Sequence, residues 1–315
     1  MVEASADRGT RIAIIRNPRS GSAPDAAALA EQLRAAHVSS TIHDAPNTSF
    51  PQWIDCVARN TDMLVAAGGD GTVSAVADAA VRTRKVLAII PTGTLNHFAR
   101  DAGIPTPLDE AIDVLRTGRV STVDVGTVND RLFINNVSLG NYPRMVHERD
   151  ALEDSGRSRP VAGTIAAART WWSLRNLNVT LDVDGRDLVR RSPFIFVGNG
   201  SYSLSGFSLG QRDNISDGQL SLYIAPPSGR LGALMLPLRA LMGTLERQEQ
   251  FETITADRIS ATFDRPTIGA GVDGEVVDLQ APLEFKIHRR ALRMLVPFDS
   301  DQDRPVDSAE GKPRR

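Results

Sequence analysis

The sequence predicts an α/β domain followed by a mainly antiparallel β domain. Three observations carry this: short apolar runs alternating with helical patterns before residue 125, hairpin-type turn dipeptides after it, and glycine-rich turns at the ends of the early strands. A chain of 315 residues is long enough for two domains, each with its own core. The expected division is an α/β unit over 11–125, which 290–298 could complete, a β-sandwich unit over 126–289, and a disordered polar tail over 299–315.

Arg11–Arg16 reads as a buried strand closed by the turn Asn17-Pro18-Arg19-Ser20-Gly21. A helix is expected from about Ser22, with Pro24 and Asp25 in its first turn and Leu29 and Leu33 on one face. Val38–His43 reads as a strand, Ser49–Arg59 as a helix and Asp62–Ala67 as a strand. Thr72–Val81 is expected to be a helix and Val86–Ile90 a strand stopped by Pro91. Beyond Val123 the runs Val120–Val128 and Leu132–Leu139 flank Asn129-Asp130, and Val179–Val183 and Leu188–Val197 flank Asp184-Gly185. Both arrangements suit hairpins. Further strands are expected at Leu220–Ile224, Arg258–Phe263 and Leu283–His288, with helical insertions over Gly163–Arg175 and Leu231–Leu245.

Composition narrows the function. Thirty-six basic against 38 acidic residues leave a net charge of −2, so the basic excess of a nucleic-acid-binding protein is missing. The one cysteine, Cys56, allows no internal disulfide and suits a reducing, cytoplasmic setting. No apolar run is long enough to span a bilayer, and Met1–Thr10 lacks the apolar core of a signal peptide. Only three of the basic residues are lysines, and none sits in a Walker loop, so a phosphate site here must work without that lysine.

Gly68-Gly69-Asp70-Gly71-Thr72 joins a strand to a helix. Its glycines let backbone approach a ligand, and the helix start offers free N–H groups to an anion. A carboxylate inside such a turn suits a cation between Asp70 and phosphate; a plain turn with Asp70 as helix cap is the simpler reading. The loops Asn17–Gly21 and Pro91–Asn96 also end strands, and three such loops at one sheet edge make a nucleotide crevice. In Gly269–Glu275, Asp273 and Glu275 lie two apart and would share a face of an extended chain. That spacing suits a proton acceptor with an orienting partner, while Asp273-Gly274 alone is a strong hairpin turn.

Together with Asp217-Gly218-x-Leu220, these motifs stand in the order of one family. Asn17-Pro18-x-Ser20-Gly21, Gly68-Gly69-Asp70-Gly71-Thr72, Pro91-x-Gly93-Thr94-x-Asn96-x-Phe98-Ala99-Arg100 and Asp273-Gly274-Glu275 complete the set. The chain resembles the diacylglycerol kinase catalytic family in its soluble bacterial lipid-kinase branch, over roughly Arg11–Pro297. The resemblance implies an N-terminal domain like that of NAD kinases, a C-terminal β-sandwich, and phosphoryl transfer from ATP to a lipid hydroxyl such as that of diacylglycerol. It implies nucleotide contacts from Asn17, Pro18, Arg19, Ser20, Gly21, Thr48, Gly69, Asp70, Gly71, Thr72 and Thr94. It makes Asp273 the general base and Glu275 its partner in a Mg²⁺ network that includes Asp70 and Asp124. Asn214, Asp217 and Gln219, the last through its carbonyl, match a structural Mg²⁺ loop.

Two positions depart from the family: His97 and Ala75 stand where acidic residues are common. The resemblance also implies peripheral contact with the inner face of the membrane, with a homodimer as one option. Candidate contact segments are the apolar stripe from Leu231 to Leu245 and the Trp171-Trp172 pair. Helix packing on the sandwich is the simpler reading of both. An NAD kinase or a catalytically silent binding protein are the alternatives.

Overall fold

The computed structural model describes residues 10–21, 23–46, 50–140, 176–202, 212, 215–226 and 251–298. Both helical insertions, the tail over 299–315, Thr48 and Asn214 lie outside the described residues.

The N-terminal half is a parallel sheet covered by helices: β1 (Ile12–Arg16), α1 (Ala26–Ala35), β2 (Ser40–Asp44), α2 (Phe50–Ala58), β3 (Met63–Gly68), α3 (Asp70–Thr83), β4 (Val86–Pro91), α4 (His97–Asp101) and α5 (Leu108–Thr117). Every residue of β1, β3 and β4 is buried, as expected for parallel strands with helices on both faces. α1 begins later than its sequence pattern predicts. Pro24 stays outside, and the Asp25 side chain caps the helix by accepting from the Ala27 amide. α5, which the sequence reading missed, buries Ala111, Ile112, Val114 and Leu115.

The C-terminal half contributes β5 (Arg119–Val128), β6 (Arg131–Phe133), β7 (Asn136–Gly140), β8 (Leu177–Val183), β9 (Arg186–Ser192), β10 (Phe194–Asn199), β11 (Leu220–Ile224), β12 (Glu252–Ala256), β13 (Arg258–Phe263), β14 (Thr267–Val272), β15 (Glu275–Gln280) and β16 (Leu283–Val296). Asn129, Asp184 and Asp273 all have left-handed φ values, and Gly185 and Gly274 follow the latter two. They form the hairpin turns that their dipeptides predict. Two predicted strands are each split. Leu132–Leu139 becomes β6 and β7, and Leu188–Val197 becomes β9 and β10 around Pro193, because the chain crosses from one sheet to the other at each break.

One sheet runs β2-β1-β3-β4-β16-β13-β8-β9, with β5 beside β16 and β6 beside β5; the other runs β12-β11-β10-β7-β14-β15. The 14-residue β16 reaches both halves: Arg293 and Met294 pair in parallel with β4, while Arg258–Ala261 of β13 pair with its opposite end. A bulge between His288 and Leu292 relieves the change of surroundings. One core lies around the parallel sheet. A second, including Phe133, Leu139, Leu181, Leu222 and Phe285, fills the space between the two sheets. The architecture is thus an α/β domain with an antiparallel β domain built onto the same extended sheet.

Candidate active site

Three strand-end loops meet at the carboxyl edge of the parallel strands, and specific contacts hold them together. The Asn17 amide donates to the Ala67 carbonyl at 2.9 Å, and its side-chain amide donates to Thr72 Oγ1 at 3.1 Å. Ser20 Oγ and Thr92 Oγ1 are 2.7 Å apart, and the Thr92 amide donates to the Gly68 carbonyl at 3.0 Å. A Cβ on Gly93 would lie 2.4 Å from the Gly69 Cα, so only glycine permits this approach of the second loop to the third. Asn96 closes the third loop by donating to the Gly93 carbonyl and accepting from the Gly93 amide.

The result is a cleft of about 490 Å³ lined by Asn17, Arg19, Ser20, Gly21, Ala45, Pro46, Phe50, Gly69, Asp70, Gly71, Thr72, Gly93 and Thr94. Apart from Pro18 and Thr48, it gathers every residue for which the resemblance implies nucleotide contact. The start of α3 points into it. Gly69 caps that helix without a side chain, so the first-turn N–H groups remain for an anion. Asp70 Oδ1 is buried and has no hydrogen-bond partner. A buried carboxylate oxygen left so is costly unless a cation or a ligand donor meets it, and a hydrated Mg²⁺ held by one carboxylate and substrate phosphates fits that oxygen. Among the described residues no cluster of three or more His, Cys, Asp or Glu side chains forms a metal cage.

Asp273 comes from the other half of the molecule, at the β14–β15 turn. Its Oδ1 accepts from the Asn135 and Asn136 amides at 2.8 and 3.0 Å. Its Oδ2 accepts from the Ile134 amide at 2.9 Å and Ser74 Oγ at 2.7 Å. Ser74 lies one helical turn beyond Asp70, so the carboxylate reaches the helix that begins in the first cleft. The residue is half-buried, and four protein donors surround its carboxylate. Burial raises its pKa above the ordinary value of 3.8, and the four donors oppose that rise. Removing the hydroxyl in Ser74→Ala takes away a donor that favours the charged form. The acid limb of the rate–pH profile is expected to move to higher pH, and an unmoved limb would show that Asp273 ionisation does not control it.

A second cleft, of about 750 Å³, contains Ser74, Ala75, Asp78, Arg82, Arg131, Asp273 and Glu275, with Pro51, Val128, Leu132, Val272 and Leu279 as apolar wall. Phe50 and Gly71 line both clefts, so the two spaces adjoin. Ala75 leaves room here where the family usually has an acidic side chain. Glu275 shares this cleft with Asp273 but pairs with Arg131 at 2.6 Å and is exposed. His97 is exposed at the start of α4.

The other expected Mg²⁺ ligands among the described residues accept hydrogen bonds from backbone amides. Asp124 is buried; its oxygens accept from the Gly218 and Arg290 amides, both at 2.7 Å, and so stitch the β16 bulge to the 215–218 segment. A metal bound by Asp124 would have to share oxygens already held by those amides. Asp217 Oδ2 accepts from the Ser201 amide, and the Gln219 carbonyl from the Gly200 amide, both at 3.0 Å.

Sequence reading missed two parts of the site. Ser74 was within reach, being four residues after Asp70 on the same helical face. The Ile134–Asn136 amides carried no signal, because backbone donors are independent of residue type.

Residues 11–128 match the diacylglycerol kinase catalytic domain, and residues 148–296 match the YegS C-terminal NAD kinase beta sandwich-like domain. Diacylglycerol kinases of Staphylococcus aureus strains bovine RF122 / ET3-1 and JH9 are each 28% identical over 303 residues, covering 92% of this chain and 93% of theirs. A crystal structure of a diacylglycerol kinase from Bacillus anthracis str. Sterne shares the fold, with a TM-score of 0.66 at 19% identity, over 91% of this chain and 97% of that one. A second structure from that strain covers the same shares with a TM-score of 0.72 at 23% identity. Among the described residues no helix is long and apolar enough to cross a membrane. Two consecutive domain matches spanning most of the chain, on a fold that brings four of the five motifs to adjoining clefts, place this protein in the diacylglycerol kinase catalytic family as a lipid kinase.

Proposed function

We propose that this protein transfers the γ-phosphoryl group of ATP to the hydroxyl of diacylglycerol or a closely similar lipid alcohol, with Asp273 as general base. The observation that carries the reading is the adjacency of the two clefts. A glycine-lined anion cradle and a carboxylate in a half-apolar pocket share Phe50 and Gly71 as a common wall.

Phosphoryl transfer needs alignment and charge neutralisation more than covalent chemistry. The α3 amides, with Asn17, Ser20 and Thr94 around them, would hold phosphate oxygens. Arg19 adds a guanidinium at the rim. The apolar wall of Leu132, Val272 and Leu279 suits the hydrocarbon portion of an acceptor whose hydroxyl faces Asp273. As the acceptor oxygen bonds to the γ-phosphorus, the bond to the β,γ-bridging oxygen breaks and ADP leaves. The hydroxyl proton passes to Asp273, since an alcohol does not ionise at neutral pH. Asp70 would hold Mg²⁺, which supplies charge neutralisation on the phosphates when bound. Glu275, paired with Arg131, would define the rim of the acceptor cleft.

Peripheral membrane contact follows from the substrate class, since the acceptor resides in a bilayer. The Trp171-Trp172 and Leu231–Leu245 segments suggested for it lie outside the described residues.

Purified protein incubated with γ-labelled ATP, Mg²⁺ and diacylglycerol in mixed micelles is expected to yield labelled lipid. Label appearing on NAD instead would favour the NAD kinase alternative. ATP binding without transfer to any extracted lipid would favour a silent binding protein.

A further inference from the structure

The geometry points to Arg212, paired with Asp101, as a positioning residue that aligns the Asp273 carboxylate with the nucleotide loops; the inference rests on Asp273 being the base. The Arg212 guanidinium is fully buried, and the Asp101 carboxylate nearly so, with 0% and 4% of their side chains exposed. Nε donates to Asp101 Oδ2 at 2.8 Å. One terminal nitrogen donates to the carbonyls of Ile134 and Asn199 at 2.8 and 3.0 Å, and the other to Asn135 Oδ1 at 3.0 Å. The Phe98 and Tyr202 rings flank it, each centroid 5.5 Å away.

What these bonds hold is specific. Ile134 and Asn135 are two of the three residues whose amides grip Asp273, and Arg212 fixes both of them from behind through a carbonyl and a side chain. Two further groups support the same turn: Asn199 Nδ2 donates to the Ile134 carbonyl and Tyr202 Oη to the Asn135 carbonyl. On the other side, Asp101 ends α4, the short helix that Asn96 begins directly after the Gly93-Thr94 loop. The ion pair therefore joins the donor-side loop to the cradle of the base across the two domains.

Stability alone is a weak reason for such a pair. Desolvating two charges offsets most of their attraction, and well-packed apolar residues serve as well or better. A planar fork with several donors in fixed directions is what holding one turn at several points requires, and lysine cannot supply it.

The test is Arg212→Lys, which keeps a cation for Asp101 but loses the fork, with Asp101→Asn as the second variant. Turnover is measured with ATP and diacylglycerol in mixed micelles, ATP affinity by calorimetry, and folding by thermal melting. Positioning predicts that kcat falls about 10- to 100-fold in folded Arg212→Lys, while ATP affinity and KM for ATP stay at wild-type values. Asp101→Asn should show the same selective loss, smaller because an acceptor for Nε remains. Wild-type kcat in Arg212→Lys would overturn the inference. So would an equal loss of nucleotide affinity, or failure of either variant to fold, since these mark a purely structural role. Asp273→Asn run alongside separates the two levels: activity in that variant sinks the base assignment, whereas its inactivity beside a fully active Arg212→Lys sinks the coupling alone.

Discussion

Asp273→Asn is expected to bind ATP as the wild type does and to lose turnover by about 10²- to 10⁴-fold, the usual contribution of a positioned general base. The structure also predicts a side effect. In the wild type each carboxylate oxygen accepts two hydrogen bonds. An asparagine can keep its oxygen toward the Asn135 and Asn136 amides, but its NH₂ then faces the Ile134 N–H, donor against donor. Ser74 can rotate to accept; the Ile134 amide cannot. The lost acceptor should cost about 1–3 kcal/mol of stability, visible as a lower melting temperature in a protein that still folds.

The pH dependence supplies a second readout. Burial raises the Asp273 pKa above 3.8, so the native state holds that proton more tightly than the unfolded state. Its contribution to stability is complete below 3.8 and is lost as pH rises through the raised value. Asp273→Asn has no such proton, and this part of the slope of melting temperature against pH should vanish. Near-wild-type turnover in the folded variant would end the assignment.

Gly71→Ala should separate binding from folding in the opposite way. A Cβ at Gly71 meets no protein atom within 4 Å, and its φ is not in the left-handed region. In the first turn of α3 the change is expected to leave stability equal or raise it by up to about 1 kcal/mol. The same Cβ would project into the space shared by the two clefts. ATP affinity is therefore expected to fall about tenfold or more, a loss of at least about 1.4 kcal/mol. Gly93→Ala is the contrast. There the Cβ would run into the Gly69 backbone at 2.4 Å, so folding and binding should fail together. Calorimetric titration with ATP and thermal melting of both variants check the pair. Undiminished ATP affinity in Gly71→Ala would place the nucleotide elsewhere.

The parts of the site that could be read from the sequence are those where local backbone demands select residue types. Gly69, Gly71 and Gly93 mark close approach, Asp273-Gly274 marks a tight turn, and the all-apolar β3 marks a buried parallel strand. The hairpin turn at Asp273-Gly274 also sets Asp273 on the wall of the second cleft, so the turn does not compete with the proposed role. Legibility fails where the requirement is non-local. The break between β6 and β7 has no proline or glycine to announce it, because it exists to switch sheets and to aim the Ile134–Asn136 amides at Asp273. The pairing of Arg212 with Asp101 spans 111 residues and has no pattern that periodicity detects.

From its own order of residues, then, this chain determined the alternation of strands and helices, the glycine loops and the family to which it belongs, because each is encoded within a few neighbouring positions. The tertiary structure decided which of the buried carboxylates expected near Mg²⁺ keeps an oxygen free of protein donors. Asp70 keeps a buried oxygen unpaired, while both oxygens of buried Asp124 accept from backbone amides. That distinction depends on which donors the packed chain brings within about 3 Å, and those donors come from segments far apart in sequence.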